Sequence, residues 1–298
     1  MRELRAGQCT VAWEGKGLAM GSIVEHYQEI HRTLEQQLFR ALQDYLVEQG
    51  RLLPDGFDRS EVWQILDIAC GTGQWVRDVA NKFPDIEVVG LDINAEAIDI
   101  AHILTNTGRI ENAAFMVGDM LRMMEIQDNS FDVVHARFLA PVVQTRLWPA
   151  VLQELLRVCR PGGKIIWTEA TFPATNSPAC FHWCELMQQA LVQSGYTPIV
   201  TRYMERLLGD VSCCNIQRSE TCIDISAETA FNKRIYRDAA LLLSLIQPFL
   251  SHKNVASTEK IDRICREAII DLYDDSFRGQ WVLVTVTCEK RMSHKFPL

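Results

Sequence analysis

Four acidic residues and two glycines stand at spacings that suit a ligand carrying a ribose. Gly71 and Gly73, in "LDIACGTGQW", follow a short apolar run and open a helical one. Glycine there lets the backbone take positive φ and approach a ligand closely. Asp67 lies inside the apolar run, where an acid needs a hydrogen-bond partner or a task. It can tie down the glycine turn or accept, through water, a bond from an ammonium group. Asp92, beside Ile93 in "GLDIN", comes 19 residues after Gly73. That is the place of a ribose-hydroxyl acceptor, with Asn94 the better helix cap. Asp119 in "VGDM", beside Gly118, can accept from the amino group of adenine, with Met120 against the ring; as a plain loop Asp it would only shape a turn. Glu169 is the fourth acid.

These residues fall at the ends of five apolar runs, 65–69, 88–91, 114–117, 133–136 and 164–168, with helical stretches between them at 74–82, 95–105 and 147–159. Strands alternating with helices predict βαβ units and a mostly parallel sheet, whose ligands sit beyond the carboxyl ends of the strands. Nicotinamide, flavin and S-adenosylmethionine proteins all use a glycine turn of this kind. The dinucleotide form asks for a small residue three places after Gly73, and Val76 stands there, which tells against NAD and FAD.

Outside this rhythm, residues 22–49 carry Ile23, Tyr27, Ile30, Leu34, Leu38, Leu42 and Leu46 at helical steps. After Glu169 come helical stretches at 180–194 and 199–208, and the alternating "SCCNIQRSETCIDIS", which reads as a half-exposed strand. Helices follow at 228–247, stopped by Pro248, and at 258–273, and a last strand runs over 280–288. The expected organisation is a helical extension or lid at 1–60, a core at 61–170, a mainly helical cap at 171–279 around a strand at 212–226, and a closing core strand at 280–298.

The 298 residues are 48% hydrophobic and 23% charged, with a formal net charge of −8. This is an ordinary globular composition, and the acidic balance argues against a nucleic-acid partner. None of the ten cysteines forms the C-x-x-C spacing of a zinc site, so no metal is expected. The N-terminus has no apolar leader and no run is long enough to span a membrane. A reduced, cytoplasmic protein without membrane insertion is the expectation, and a second copy could pack on the N-terminal extension or the cap.

"LDIACGTG", "VVGLDIN", "VGDM", "FDVVHARFL" and "LLRVCRPGGKIIWTE" resemble the successive motifs of class I S-adenosylmethionine-dependent methyltransferases, small-molecule group, which includes ubiquinone/menaquinone-type and natural-product enzymes. The resemblance covers roughly residues 60–170, and 280–288 fits the family's last strand. It implies a Rossmann-like, doubly wound, seven-stranded α/β sheet with its last strand antiparallel. It also implies that Ala69, Gly71 and Gly73 wrap the methionine part of the cofactor, Asp92 holds the ribose, and Asp119 with Met120 holds adenine. Ala136 and Arg137 would floor the site near the sulfonium. The chain departs from the pattern at Ala69, usually glycine, and at Ala140-Pro141-Val142, where many relatives carry a His.

Methyl transfer from a sulfonium is an in-line displacement, served by positioning the acceptor and excluding water. An acceptor that loses a proton needs a base nearby. Glu169, His135 and, on the N-terminal helix, Tyr27 or His26 are the candidates. Against each stands a structural role: Glu169 bridging to Arg137, His135 packed in the core, Tyr27 anchoring the apolar helix face or serving as a lid over the cofactor. The apolar, aromatic content of the cap, including Phe172, Trp183, Tyr203 and Phe231, suits a hydrophobic organic acceptor. A relative that binds the cofactor but catalyses a cyclisation or decarboxylation is the alternative.

Overall fold

A computed structural model describes residues 41–54, 56–123 and 126–292. Five parallel strands form the core of the sheet: β1 (Gln64–Ile68), β2 (Glu87–Asp92), β3 (Ala113–Val117), β4 (Phe131–Arg137) and β5 (Cys159–Ala170). They lie in the order β3-β2-β1-β4-β5. The antiparallel β8 (Gly279–Lys290) adds to β5 and is flanked on its far side by β7 (Cys213–Asp224). The two-residue β6 (Ala174–Thr175) meets the first residues of β8. Seven long strands with the last antiparallel match the expectation, and β6 is an addition to it.

Adjacent residues on each central strand are buried on opposite faces, because helices cover both. One face carries Ile65, Val88, Val133 and Ile166 under Trp75, Val76 and Val79 of α1 (Gln74–Lys82) and Ile98 and Ala101 of α2 (Ala95–Gly108). The other carries Leu66, Val134, Ile165, Val284 and Val286 under Leu152 and Leu155 of α3 (Trp148–Val158). Each such side chain removed from water contributes about 1.5–3 kcal/mol, so this double burial dominates the stability of the core.

Beyond the core, α4 (Pro178–Gln193), α5 (Met204–Gly209), α6 (Ala230–Leu245), α7 (Gln247–His252) and α8 (Thr258–Leu272) follow. Ser177, Thr229 and Ser257 cap α4, α6 and α8 with their hydroxyls, closing backbone donors that a helix start leaves open. Pro248 ends one helix as expected and then occupies the first turn of the next, where its missing N–H is harmless. Leu42 and Leu46, on the helical segment 41–48, join Phe138, Ile223, Phe231 and Leu283 in a second apolar cluster. The remainder of the helix expected over 22–49 lies outside the described residues.

One expectation is corrected. The strand expected at 164–168 starts earlier, and Arg160-Pro161-Gly162-Gly163, which follows the helical stretch expected at 147–159, lies within β5. The ladder pairs Phe131 with Cys159 and then Val133 with Lys164, so these residues bulge out of register with β4. Glycine is required there: Gly162 has φ 76°, and a Cβ on Gly163 would stand 2.9 Å from the Asp132 carbonyl.

Candidate functional site

The carboxyl ends of β1 to β5 gather the acids and glycines at one edge of the sheet. After β1 the chain turns through Ala69 (φ 55°), Gly71 (φ 55°) and Gly73 (φ 71°) into α1. A Cβ on Gly73 would overlap the Phe115 ring at 2.2 Å, so glycine there seats the helix on the sheet. A Cβ on Gly71 would meet nothing within 4 Å: this face of the turn is open.

Asp92 fixes that turn. Its Oδ2 accepts the Gly71 N–H at 2.8 Å and its Oδ1 the Asn94 N–H at 2.8 Å, while Asn94 caps α2. Beside it Ile93 and Val117 are 69% and 51% exposed, an apolar platform at the strand ends. Asp119 shapes the loop after β3 by accepting the Leu121 N–H on Oδ1. Gly118 has no room for a Cβ, which would come within 2.8 Å of Leu91. Met120 packs on the core cluster with its side chain half-buried.

Under the turn lies a buried polar group. Asp67 and His135 meet at 2.7 Å through His Nδ1, and the His135 ring stacks on Trp75 at 3.6 Å between centroids. Burial lowers the His135 pKa, against the opposing pull of Asp67, so the neutral imidazole gives its Nδ1 proton to the carboxylate. Burial pushes the neighbouring Arg137 down to about 10, against the attraction of Asp67 and Asp78. Ala136 is wholly buried in the core, backbone included. Burial, with Asp67 and Asp92 nearby, pushes the Cys70 thiol far up, so it is no nucleophile at neutral pH.

Glu169 is buried at the end of β5. Its Oε1 accepts the Leu139 N–H at 2.8 Å, the Ala140 N–H at 3.2 Å and the Trp167 indole N–H at 2.7 Å. The carboxylate therefore pins the loop after β4, where Phe138 takes φ 55°.

The segment 41–48 is hydrogen-bonded to α1. Gln43 donates to Asp78 at 2.9 Å, and Gln74 donates to Asp44 at 2.5 Å. Gln43 is 2% exposed, and its Oε1 has no partner among the described residues. Sequence reasoning missed these four residues. The available signal was a Gln beside Leu42 on an otherwise apolar helix face. Tyr27 and His26 lie outside the described residues. Among the described residues no group of three or more His, Cys, Asp or Glu is placed to hold a metal, and no helix is long and apolar enough to cross a membrane.

The open glycine turn, the Asp92 carboxylate and the apolar platform suit a ligand with a ribose and a flat apolar ring. Residues 65–163 match the family model described as a methyltransferase domain. The chain is 32% identical over 110 residues to demethylmenaquinone methyltransferase of Lactococcus lactis subsp. lactis, covering 37% of this chain and 42% of that one. It is 28% identical over 159 residues to the Staphylococcus aureus demethylmenaquinone methyltransferase, covering 48% and 64%. The chain thus spans about half the length of these curated relatives. The YcgJ protein of Bacillus subtilis superposes with a TM-score of 0.52 at 16% identity, over 77% of this chain and 93% of that one. The matched residues run from β1 into β5, and the superposition shows a shared fold over most of the chain.

Proposed function

We propose, from a methyltransferase domain at residues 65–163, that the protein transfers a methyl group from S-adenosyl-L-methionine to a small, largely hydrophobic organic acceptor, at O, N or C, leaving S-adenosyl-L-homocysteine. The observation that carries this reading is the glycine turn held open by Asp92 beside the exposed Ile93 and Val117. The similarity to demethylmenaquinone methyltransferases favours a quinone-like or secondary-metabolite acceptor.

When bound, the cofactor supplies a methyl group on a sulfonium centre. Asp92 accepts from the ribose hydroxyls with lone pairs not used by Gly71 and Asn94. Asp119 accepts from the adenine amino group, with Gly118 letting the loop pack on Leu91, and Ile93 and Met120 flank the ring. Ala69, Gly71 and Gly73 bring backbone to the methionyl chain, Asp67 balances its ammonium, and Arg137 floors the site, with Ala136 packed in the core beneath it. Glu169 holds Leu139 and Ala140 where the acceptor stands, and His135 orients Asp67. Of the base candidates, both thus serve by positioning. Tyr27 remains the candidate for a lid side chain or a base. Catalysis then rests on alignment and exclusion of water. The nine described cysteines are free thiols, which fits a reducing, cytoplasmic setting. A second copy would pack on the N-terminal extension or the cap.

Titration calorimetry with S-adenosylmethionine, S-adenosylhomocysteine and NAD tests the reading. The first two should bind and NAD should not. Asp92→Ala should weaken binding by about 10–100-fold, the worth of hydrogen bonds to a charged group. A folded protein that binds neither sulfur compound would overturn the proposal.

A further inference from the structure

At the edge of the sheet opposite the ligand turn, four cysteines stand close together. Cys159 opens β5, Cys213 and Cys214 open β7, and Cys288 is near the end of β8. Cys159 gives its S–H to the Arg160 and Lys164 carbonyls, and Cys214 gives its own to the Glu289 carbonyl. Cys288 instead donates to the sulfur of Cys213, with the two Sγ atoms 2.8 Å apart. Both lie on the sheet face packed under α3, since Cys213 pairs with Lys290 and Cys288 sits two residues before it.

This pair adjoins a cavity of about 510 Å³ lined by Arg157, Ser212, Lys290 and Arg291, with Asp210 the acid among its lining residues. Ser212 precedes Cys213, and the Arg291 guanidinium donates through Nε to the Cys213 carbonyl at 3.1 Å. Arg157 is occupied by Glu154 and Asp128, whereas Lys290 and Arg291 spend their bonds on neutral oxygens. The cavity is therefore cationic and lies beside the thiol pair, whose residues are each 2% exposed and do not line it.

We propose that Cys213 and Cys288 form a reversible disulfide, oxidised through this cavity by an anionic low-molecular-weight disulfide of the glutathione type. Cys213 is the attacking sulfur: the S–H donated by Cys288 favours its thiolate over the opposing effect of burial, and Arg291 adds to this. The thiolate attacks one sulfur of the reagent and expels the other as a thiolate. Cys288, deprotonated, then attacks the Cys213 sulfur of the mixed disulfide and releases the second reagent thiolate. The protein pair loses two electrons and two protons, and one reagent disulfide becomes two thiols. The bond would clip β7 to β8 and close a loop between positions 75 apart.

The full chain, folded and reduced, is incubated with oxidised glutathione, then unfolded, alkylated and weighed. The expected product carries two fewer alkyl groups than the reduced control, and its unreduced digest contains the Cys213 peptide joined to that of Cys288. Cys214→Ser should keep this link, whereas Cys213→Ser or Cys288→Ser should lose it. Native protein in which both cysteines stay alkylatable, or a link that disappears with Cys214→Ser, would overturn the proposal. At low salt, Arg291→Glu should slow oxidation by glutathione disulfide several-fold while leaving the cationic reagent cystamine no slower. Equal slowing with both reagents would overturn the cavity as the route.

Discussion

At the residue scale the site is held by groups that satisfy each other as much as they await a ligand. Ala69 sits at φ 55° where the family pattern has glycine, a conformation that disfavours a side chain by roughly 1–2 kcal/mol. Ala69→Gly relieves this but gives freedom to the unfolded chain, so a gain of about 0.5–1 kcal/mol in urea unfolding is expected. His135 carries a second prediction. Its folded pKa lies below the ordinary value of about 6.5, so below that pH the unfolded chain takes up a proton that the folded one refuses. Stability should therefore fall as pH drops from about 6.5, and His135→Gln, which keeps an N–H for Asp67, should flatten that slope in denaturation at pH 7.5 and 5.5. The acids of the site were legible in the sequence because each lies within an apolar run or just after one. Their partners were not: that Asp92 binds the Gly71 amide and Glu169 the Leu139 amide depends on strands aligned through the sheet. Trp167, two residues from Glu169 on the same strand face, was the one partner a period-two reading could have found.

At the element scale, continuous apolar strands and amphipathic helices were readable because burial on both faces leaves that trace. The β5 bulge was not readable, since Pro-Gly-Gly after a helix has the composition of a turn. What keeps it in the sheet is Asp132, whose carboxylate accepts the Trp63 and Gln64 N–H groups and pairs with Arg160 at 2.7 Å. One buried acid thus joins β1, β4 and the bulge. Asp132→Ala leaves two strand donors and a guanidinium without that acceptor, and we expect a loss of about 2–4 kcal/mol by chemical denaturation. The segment 41–48 belongs to the same scale. Its Gln43 and Asp44 bonds to α1 tie it to Gln74, the residue that follows the glycine turn.

For the molecule as a whole, β8 is the keystone strand. It pairs with β5 on one side and β7 on the other, and Leu283, Val284, Val286 and Cys288 are nearly or wholly buried. Its side chains enter both the core cluster and the cap cluster through Val284 and Leu283. A chain ending at residue 278 should therefore lose cooperative thermal unfolding, read by near-ultraviolet circular dichroism, rather than shed one strand. Retention of a sharp transition would show that β1 to β5 stand alone.

The place of β8 also bears on the birth of the protein. A ribosome delivers β5 long before β8, and β7 in between, so the nascent chain carries two strand edges with open amides and carbonyls while nearly all of the cap is made. Such edges invite pairing with other chains. The synthesis of this protein therefore has a vulnerable interval that ends only when its last strand slides between two already formed, and chaperone demand should peak there.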